Sequence, residues 1–347
     1  MAIQGLGLYY TLQCNASCAH CGVWSAPDRQ ERMTLLQGRR YIEQLAALDD
    51  AKVVVFVGGE PLLHLDDICE LIAFARSHGI MTQVSTNAFW AGSPAKAEAV
   101  VDQLVQAGLN HLALSADSYH SEFIDPRNVG RAFAAARGRG LVRKLQVIRS
   151  AVNEELDDVW ATTGIDTTEV IDHTVYKKNR HDPAFDAGRY IIVNRHWVAP
   201  FGRGAFLRGH VLAKTLDELE DMPCFMVRRF PIAYPNGDVY TCCCTAGFYN
   251  EYRAGNLERE SLADIDRRMH ADPVFDAIAR VGPVTLAKQM QASGAQLVAG
   301  FANPCHACRE TLSRCDRVAL EAQARGLVLV NSLIGDESLE ARIQDLV

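Results

Sequence analysis

Three cysteines near the amino terminus have a spacing that could bind a metal centre. Cys14, Cys18 and Cys21 follow an apolar, strand-like segment and form a CX3CX2C pattern. A structural zinc or an ordinary [4Fe–4S] cluster is normally closed by four protein ligands. Three cysteines instead leave one iron of a cluster open to bind and activate a small molecule. A zinc knuckle with His20 as its fourth ligand is the alternative interpretation.

A loop further along the chain could hold a charged group of that small molecule. The β-branched run Val53–Val57 predicts a buried parallel strand and leads directly into Gly58, Gly59, Glu60 and Pro61. Two adjacent glycines would let the backbone approach a ligand without interference from a Cβ atom. The Glu60 carboxylate could pair with an ammonium group, and Pro61 would stiffen the exit of the loop.

Together these two motifs resemble those of the radical S-adenosylmethionine (SAM) superfamily. The resemblance implies that Cys14, Cys18 and Cys21 hold a [4Fe–4S] cluster whose open iron is chelated by SAM. It also implies that the Gly-Gly-Glu-Pro loop binds the SAM amino group. The implied chemistry is reductive cleavage of SAM to a 5′-deoxyadenosyl radical, which removes hydrogen from an unactivated carbon.

The surrounding sequence predicts the elements that would position these groups. Strand-like and helix-like segments alternate with a period of about thirty residues, which indicates βα units around a parallel sheet. We therefore expect an α/β fold containing a partial (β/α)6 barrel. The predicted strands are Gly7–Leu12, Lys52–Val57, Met81–Thr86, His111–Ser115, Lys144–Ser150 and Glu169–Tyr176; the predicted helices are Thr34–Leu48, Leu65–Ser77, Pro94–Ala107, Val129–Arg137 and Glu154–Thr162.

Polar residues follow the third and fourth predicted strands, where ligands of such a sheet lie. Thr86 and Asn87 end the third strand, and Ser115, Asp117 and His120 follow the fourth. The superfamily resemblance implies SAM contacts for Asn87, Ser115 and Asp117, and Thr86 could also bind SAM. Helix capping is the alternative for the serine and aspartate. His120 could be a proton donor near substrate or a plain surface histidine.

A second cysteine-rich region begins at Cys224. A turn signal at residues 235–238 separates two short predicted strands, Phe230–Tyr234 and Val239–Cys242. Folding of that hairpin would return Cys242 toward Cys224. The remaining cysteines of this region are Cys243, Cys244, Cys305, Cys308 and Cys315. A structural zinc ribbon is the alternative interpretation of the set.

This second pattern resembles the auxiliary iron–sulfur domain called SPASM when it holds two clusters and Twitch when it holds one. No cysteine follows Cys315, so the eight ligands of two closed clusters cannot be found. We expect one auxiliary [4Fe–4S] cluster, with Cys315 as a reserve ligand or hydrogen-atom donor. Its expected ligands are Cys224, Cys242, Cys305 and Cys308. A second cluster, with an open iron, would involve Cys243, Cys244 and Cys315.

We predict three regions: the barrel at 1–185, a linker at 186–223 and the auxiliary domain at 224–347. An auxiliary cluster could accept the electron that a substrate radical loses on its way to a closed-shell product. This favours oxidative modification of a ribosomally made peptide, such as a crosslink, thioether or dehydrogenation. The alternative is a dehydrogenase or epimerase of an aminoglycoside-like or sugar-like small molecule. A non-enzymatic scaffold fits poorly with the intact Gly-Gly-Glu-Pro loop.

Composition limits the partners and the compartment. The 347 residues are 48% hydrophobic, enough for a large core, and eleven cysteines indicate metal or redox chemistry rather than disulfides. A net charge of −7 gives no general attraction to nucleic acid or anionic membrane. No targeting segment or long apolar run stands out. We expect a cytoplasmic protein served by a flavodoxin or ferredoxin-type electron donor. Because the cysteine motif begins close to residue 1, any leader-peptide-binding module would be a separate protein.

Overall fold

The computed structural model describes residues 3–152, 156–242 and 250–334. The strands are β1 Gly5–Thr11, β2 Val53–Gly58, β3 Met81–Thr86, β4 His111–Ser115, β5 Val142–Arg149, β6 Val170–Asp172, β7 Ile191–Trp197, β8 Ile232–Ala233, β9 Asp238–Tyr240 and β10 Arg253–Asn256. The helices are α1 Leu35–Ala46, α2 Leu65–Ser77, α3 Pro94–Ala107, α4 Ser118–Ser121, α5 Arg127–Ala136, α6 Asp157–Thr163, α7 His173–Asn179, α8 Leu262–Ala271, α9 Pro273–Arg280, α10 Pro283–Ala292, α11 Pro304–Arg314 and α12 Arg317–Ile334.

One sheet joins all these strands in the order β10-β9-β8-β1-β2-β3-β4-β5-β7-β6. The run from β1 through β5 to β7 is parallel, and helices connect its successive strands. The predicted α/β fold is confirmed. Because the strands run in the same direction, the loops after β1, β2, β3 and β4 meet at one edge of the sheet, where ligands of such folds bind.

The sixth barrel strand lies elsewhere than the sequence predicted. Only Val170–Asp172 of the predicted strand Glu169–Tyr176 is extended, and it forms the outer edge of the sheet. The Asp172 side chain then accepts a hydrogen bond from Thr174 N (2.9 Å) and caps α7, which ends the strand. The strand beside β5 is Ile191–Trp197, within the segment predicted as a linker. The sheet therefore continues past residue 185.

The predicted hairpin is present and adds to the barrel sheet. β8 pairs with β1 in parallel, and β9 returns antiparallel to β8 through the turn at Asn236 and Gly237. Both strands are shorter than the predicted Phe230–Tyr234 and Val239–Cys242. Pairing of β8 with β1 places the hairpin next to the strand that leads into the amino-terminal cysteines.

The two largest apolar clusters of the described residues lie in different parts of the fold. The larger lies under the barrel helices and includes Leu8, Phe56 and Leu112, all fully buried. The second packs α9, α11 and α12 around Phe275 and Leu312 and contains several of the later cysteines. Within the residues that the structure describes, no helix has both the length and the apolar character needed to cross a bilayer.

Candidate active site

The three amino-terminal cysteines lie in the loop that follows β1. Cys18 is buried, while Cys14 and Cys21 are half-buried. Burial is the main cause that raises the pKa of the Cys14 and Cys18 thiols to about 12, and the charges of neighbouring cysteines contribute to this shift. The three sulfur groups are thus close enough to affect one another. A bound metal centre would offset the cost of forming buried thiolates.

A distant segment holds this loop in place. Arg203 N donates to the Cys21 carbonyl (2.9 Å), and the Arg203 guanidinium donates to the carbonyls of Cys18 (2.9 Å) and Ser25 (2.7 Å). Gly202 has φ 52°, and a Cβ atom there would collide with the Cys21 carbonyl. The chain around Arg203, in the predicted linker, therefore packs directly on the cysteine loop.

The two adjacent glycines at the end of β2 are required because the backbone before Cys14 passes very close to them, a contact that the sequence did not indicate. A Cβ atom on Gly58 would overlap the Thr11 carbonyl, and one on Gly59 would overlap the Gln13 carbonyl. Gly59 N and Glu60 N donate to those same carbonyls (2.7 and 2.8 Å). The glycines thus let this loop pack against the backbone that leads into Cys14. Close approach of a ligand to the same loop stays a prediction.

Glu60 is enclosed in hydrogen bonds from the protein. Its carboxylate accepts from Leu62 N (3.0 Å), Thr86 Oγ1 (2.8 Å) and Asn87 N (2.7 Å), and the residue has no exposed surface. Burial raises its pKa to about 7, although these donors oppose the shift. Glu60 ties the end of β2 to the end of β3, and Pro61 begins the short 3-10 helix that follows. The direct pair of Glu60 with an ammonium group stays a prediction.

Asn87 connects that network to the cysteine loop. Its side-chain amide donates to Asn15 Oδ1 (2.8 Å) and lies 3.9 Å from Cys14 Sγ. Thr86 Oγ1 also accepts from Trp90 Nε1 (3.1 Å), which fixes the turn after β3. Ala88 in this turn has φ 62°, an uncommon conformation for a residue other than glycine. Of the residues predicted to bind SAM, Asn87 is thus the one in contact with a predicted cluster ligand.

Asp117, which is buried, forms a pair with the half-buried His120 after β4. Asp117 caps α4 by accepting from His120 N (3.0 Å), lies 2.9 Å from His120 Nδ1, and accepts from Ile148 N (3.2 Å). Burial alone would raise the pKa of Asp117, but the charge and hydrogen bonds of His120 lower it to about 2. Asp117 therefore caps α4 and positions His120, and its contact with SAM stays a prediction. Ser115 ends β4 and is half-buried.

His20 lies against this pair. Its ring centroid is 4.9 Å from that of His120 and 5.0 Å from that of Tyr119. Burial and the His120 charge lower the pKa of His20 to about 4. Its Nδ1 atom is buried without a hydrogen-bond partner among the described residues. An unpaired buried nitrogen beside the cysteine loop fits a site that a ligand completes.

The distances between donor atoms test the alternative of a zinc knuckle that includes His20. Four zinc ligands lie within about 4 Å of one another, because zinc–ligand bonds are about 2.0–2.3 Å long. In the described part of the chain, the three donors found within 4.8 Å of one another belong to His20, Asp117 and His120, a set without a cysteine. The amino-terminal cysteines are therefore not arranged as a closed zinc knuckle with His20.

The later cysteines lie around Tyr252. The Tyr252 hydroxyl donates to Cys308 Sγ (3.0 Å), and the charges of Cys308, Cys242 and Cys305 all act on the hydroxyl. Cys305 and Cys308 lie at the start of α11, one turn apart. Cys224 and Cys315 pack in the same apolar cluster as Cys308 and Tyr252. Cys243 and Cys244 fall outside the described residues.

A row of three tyrosines runs between the two groups of cysteines. The Tyr9 and Tyr234 rings are stacked with centroids 5.2 Å apart, and Tyr234 meets Tyr240 edge-on at 5.5 Å. Burial raises the pKa of Tyr234, and Cys21 is close enough to contribute to this shift. At the other end, Tyr240 packs against the cluster that contains Cys308. The row therefore links the surroundings of the two cysteine sites.

A partial parallel barrel, a three-cysteine loop at the carboxyl edge and a second cysteine group define the class of iron–sulfur enzymes that use SAM. The chain matches the family model of the radical SAM superfamily over residues 8–166 and that of the iron–sulfur cluster-binding SPASM domain over residues 224–282. It is 33% identical over 284 residues to the PqqA peptide cyclase of Xanthomonas euvesicatoria pv. vesicatoria (strain 85-10), covering 74% of this chain and 72% of that relative. The chain belongs to the radical SAM superfamily and carries a SPASM domain, which confirms the resemblance. Its cofactors are [4Fe–4S] clusters and SAM.

Solved structures share the fold. The chain superposes on anSMEcpe with bound AdoMet with a TM-score of 0.54 at 13% identity, covering 94% of this chain and 100% of that one. It superposes on Streptococcus suis SuiB bound to the precursor peptide SuiA with a TM-score of 0.51 at 15% identity, covering 90% of this chain and 76% of SuiB.

Sequence reasoning missed three residues of the site. Arg203 stands in a Gly-Arg-Gly run that the sequence analysis did not connect to the cysteines. Tyr252 lies ten residues after Cys242, in a stretch without cysteines. His20 was considered only as a zinc ligand. The glycines flanking Arg203 were the available signal, since paired glycines often mark a close backbone approach.

Proposed function

We propose that this enzyme oxidatively modifies a ribosomally made peptide by radical SAM chemistry, with the SAM-binding cluster held by Cys14, Cys18 and Cys21. The observation that carries the proposal is the connected network from Glu60 through Thr86 and Asn87 to the cysteine loop. It joins the ends of the first three barrel strands into one rigid edge beside the thiols. When bound, the cluster and SAM supply a radical able to remove hydrogen from an unactivated carbon.

The chain's own residues would orient the reactants and exclude water. Gly58, Gly59 and Pro61 shape the loop beside the cysteines, and Glu60 acts as a positioning residue through Thr86 and Asn87. The Asn87 amide and the Ser115 hydroxyl offer polar groups toward bound SAM. Rigid positioning matters because a reactive radical attacks whatever carbon lies nearest.

His120 is proposed as the group that moves a proton. Asp117 fixes Nδ1 of the imidazole, and this leaves Nε2 to face a substrate. A substrate radical that becomes an unsaturated or crosslinked product loses a proton as well as an electron. A half-buried imidazole held by a carboxylate is suited to accept that proton.

Cys224, Cys242, Cys305 and Cys308 are proposed to hold one auxiliary cluster, with Cys315 as the reserve ligand. Cys242, Cys305 and Cys308 all contribute to the raised pKa of Tyr252, so they lie near its hydroxyl. Cys224 packs in the same apolar cluster as Tyr252. The tyrosine row between the two sites supports a substrate position from which an electron could reach the auxiliary cluster. An oxidative outcome follows from this arrangement. In an epimerase, Cys315 would instead return a hydrogen atom.

A peptide is favoured as substrate because the PqqA peptide cyclase is 33% identical across most of the chain. SuiB, which has the same fold, is bound to a precursor peptide, so the fold can accommodate one. A flavodoxin or ferredoxin-type protein would supply the electron, and a separate protein would present the leader segment. We propose barrel, linker and auxiliary regions at 1–185, 186–223 and 224–347. The linker range includes β7, which extends the barrel sheet.

The test begins with the neighbouring genes, where a short reading frame would supply the candidate peptide. The anaerobically reconstituted enzyme is then incubated with SAM, a strong reductant and that peptide. We expect 5′-deoxyadenosine together with a peptide that has lost a pair of hydrogen atoms. Cys18→Ala should form neither product, and Cys69→Ala is the matched control on α2. An unmodified peptide alongside rapid 5′-deoxyadenosine formation would contradict the peptide assignment. Formation of 5′-deoxyadenosine by Cys18→Ala at the parent rate would contradict the cluster assignment.

A further inference from the structure

Tyr252 presents its hydroxyl to the auxiliary cysteines from a fixed position. The residue is 2% exposed, and its hydroxyl lies 3.0 Å from Cys308 Sγ. The ring stacks on Phe275, with centroids 6.3 Å apart and an interplanar angle of 24°. Its carbonyl accepts from Thr241 N (3.0 Å), next to Cys242. Backbone and ring are therefore both held while the hydroxyl points at sulfur.

The hydroxyl can bond the Cys308 sulfur in one direction only. A thiolate has no proton to give, so the phenol O–H is the donor and the sulfur is the acceptor. Hydrogen bonds to a charged acceptor are stronger than those between neutral groups.

We propose that Tyr252 raises the reduction potential of the auxiliary cluster by donating this hydrogen bond to the Cys308 sulfur. The inference rests on the proposed ligand set of Cys224, Cys242, Cys305 and Cys308. Reduction adds negative charge to a cluster and its sulfurs, so a fixed donor stabilises the reduced form more than the oxidised form. Tyr252 is thus a positioning residue that makes the cluster a better electron acceptor.

A purely structural role would predict something different. If the hydroxyl only satisfies its own hydrogen bond inside the apolar cluster, its removal would lower stability and leave the potential unchanged. Measurement of the potential therefore separates the two roles, and activity is not needed as the readout.

The experiment uses the full chain with Cys14, Cys18 and Cys21 changed to alanine, so that the auxiliary site alone binds iron. Tyr252→Phe is introduced into this background, and Tyr41→Phe is the matched control. Tyr41 is also a buried tyrosine, but it lies on α1 of the barrel and its hydroxyl bonds to Glu258 rather than to a cysteine. Iron content and the midpoint potential from a redox titration followed by electron paramagnetic resonance are measured for each.

We expect about four iron atoms in every variant and a more negative midpoint for Tyr252→Phe alone. At the parent midpoint, the reduced-to-oxidised ratio should fall by at least about threefold; tenfold corresponds to 59 mV for one electron. Site-specific 3,5-difluorotyrosine at 252 keeps the side chain and is a stronger donor, so it should shift the midpoint the other way.

The outcomes distinguish this inference from the proposed function. Bound iron with the same midpoint for tyrosine, phenylalanine and difluorotyrosine overturns the role of Tyr252 and leaves the ligand set intact. An absence of iron from the triple-alanine background overturns both. If Tyr252→Phe binds no iron, the midpoint potential of the difluorotyrosine protein decides whether Tyr252 sets the potential, because this protein preserves the ring packing.

Discussion

The Arg203 guanidinium and the Cys18 backbone carbonyl lie 2.9 Å apart, although 185 residues separate them in the sequence. A second bond from the same group to the Ser25 carbonyl closes the cysteine loop from the other side. The segment between barrel and auxiliary domain thus forms one wall of the amino-terminal site. We therefore expect iron binding at that site to depend on a residue outside the cysteine motif.

The first prediction concerns this contact. Arg203→Lys keeps a positive charge but cannot bond both carbonyls with the planar geometry of a guanidinium. Each bond to a charged group contributes about 1.5–3 kcal/mol, so loss of one should lower SAM cleavage by at least about tenfold. Iron at this site, measured with Cys224 and Cys242 changed to alanine, should fall as well. Arg195→Lys on β7 serves as the control and should change neither quantity.

The second prediction concerns Glu60. Glu60→Gln turns an acceptor-only carboxylate into an amide whose NH2 group opposes either Asn87 N or the donors from Thr86 and Leu62. We expect the free energy of unfolding to fall by about 1–3 kcal/mol and SAM affinity to fall with it. Calorimetric binding and denaturant unfolding measure the two effects.

Glu70→Gln on the exposed face of α2 is the matched control, because its carboxylate pairs with Arg39 at the surface. If SAM affinity dropped in Glu60→Gln while the unfolding free energy stayed constant, the carboxylate would be binding SAM directly. That result would favour the arrangement expected from the sequence over the enclosed one.

Local signals explain what the sequence could predict, and long-range contacts explain what it could not. The cysteine spacing and the Gly-Gly-Glu-Pro loop are each encoded within a few residues, so both were recognisable. The reason for Gly59 is the Gln13 carbonyl, a contact that appears only once β1 and β2 pair. The strand Ile191–Trp197 was missed because only its first three residues are buried and apolar.

The third prediction concerns the pH dependence of the contact between α1 and Glu258, which follows β10. Glu258 accepts hydrogen bonds from Arg40, Tyr41 and Gln37, and these lower its pKa to about 2 from 4.5. Because the folded protein favours the ionised form, this stabilisation is present above pH 4.5 and is lost as the pH falls toward 2.

We therefore expect the difference in thermal midpoint between the parent and Glu258→Gln to be largest near neutral pH and to shrink steadily in acid. Glu98→Gln, on the exposed face of α3, should match the parent throughout. A difference that grew in acid would mean that Glu258 is not held as a carboxylate by α1.

The last prediction tests the auxiliary ligand set. With Cys14, Cys18 and Cys21 changed to alanine, about four iron atoms should remain, since one cluster closed by four cysteines is left. Further change of Cys224 and Cys242 should remove that iron. Arg228 N donates to the Thr241 carbonyl (2.9 Å), which brings the residue before Cys242 back beside the chain that follows Cys224. Iron near eight in the triple variant would instead require a second auxiliary cluster and make Cys243, Cys244 and Cys315 ligands. Zinc in place of iron would make the domain structural, and the reason to expect an oxidised product would be lost.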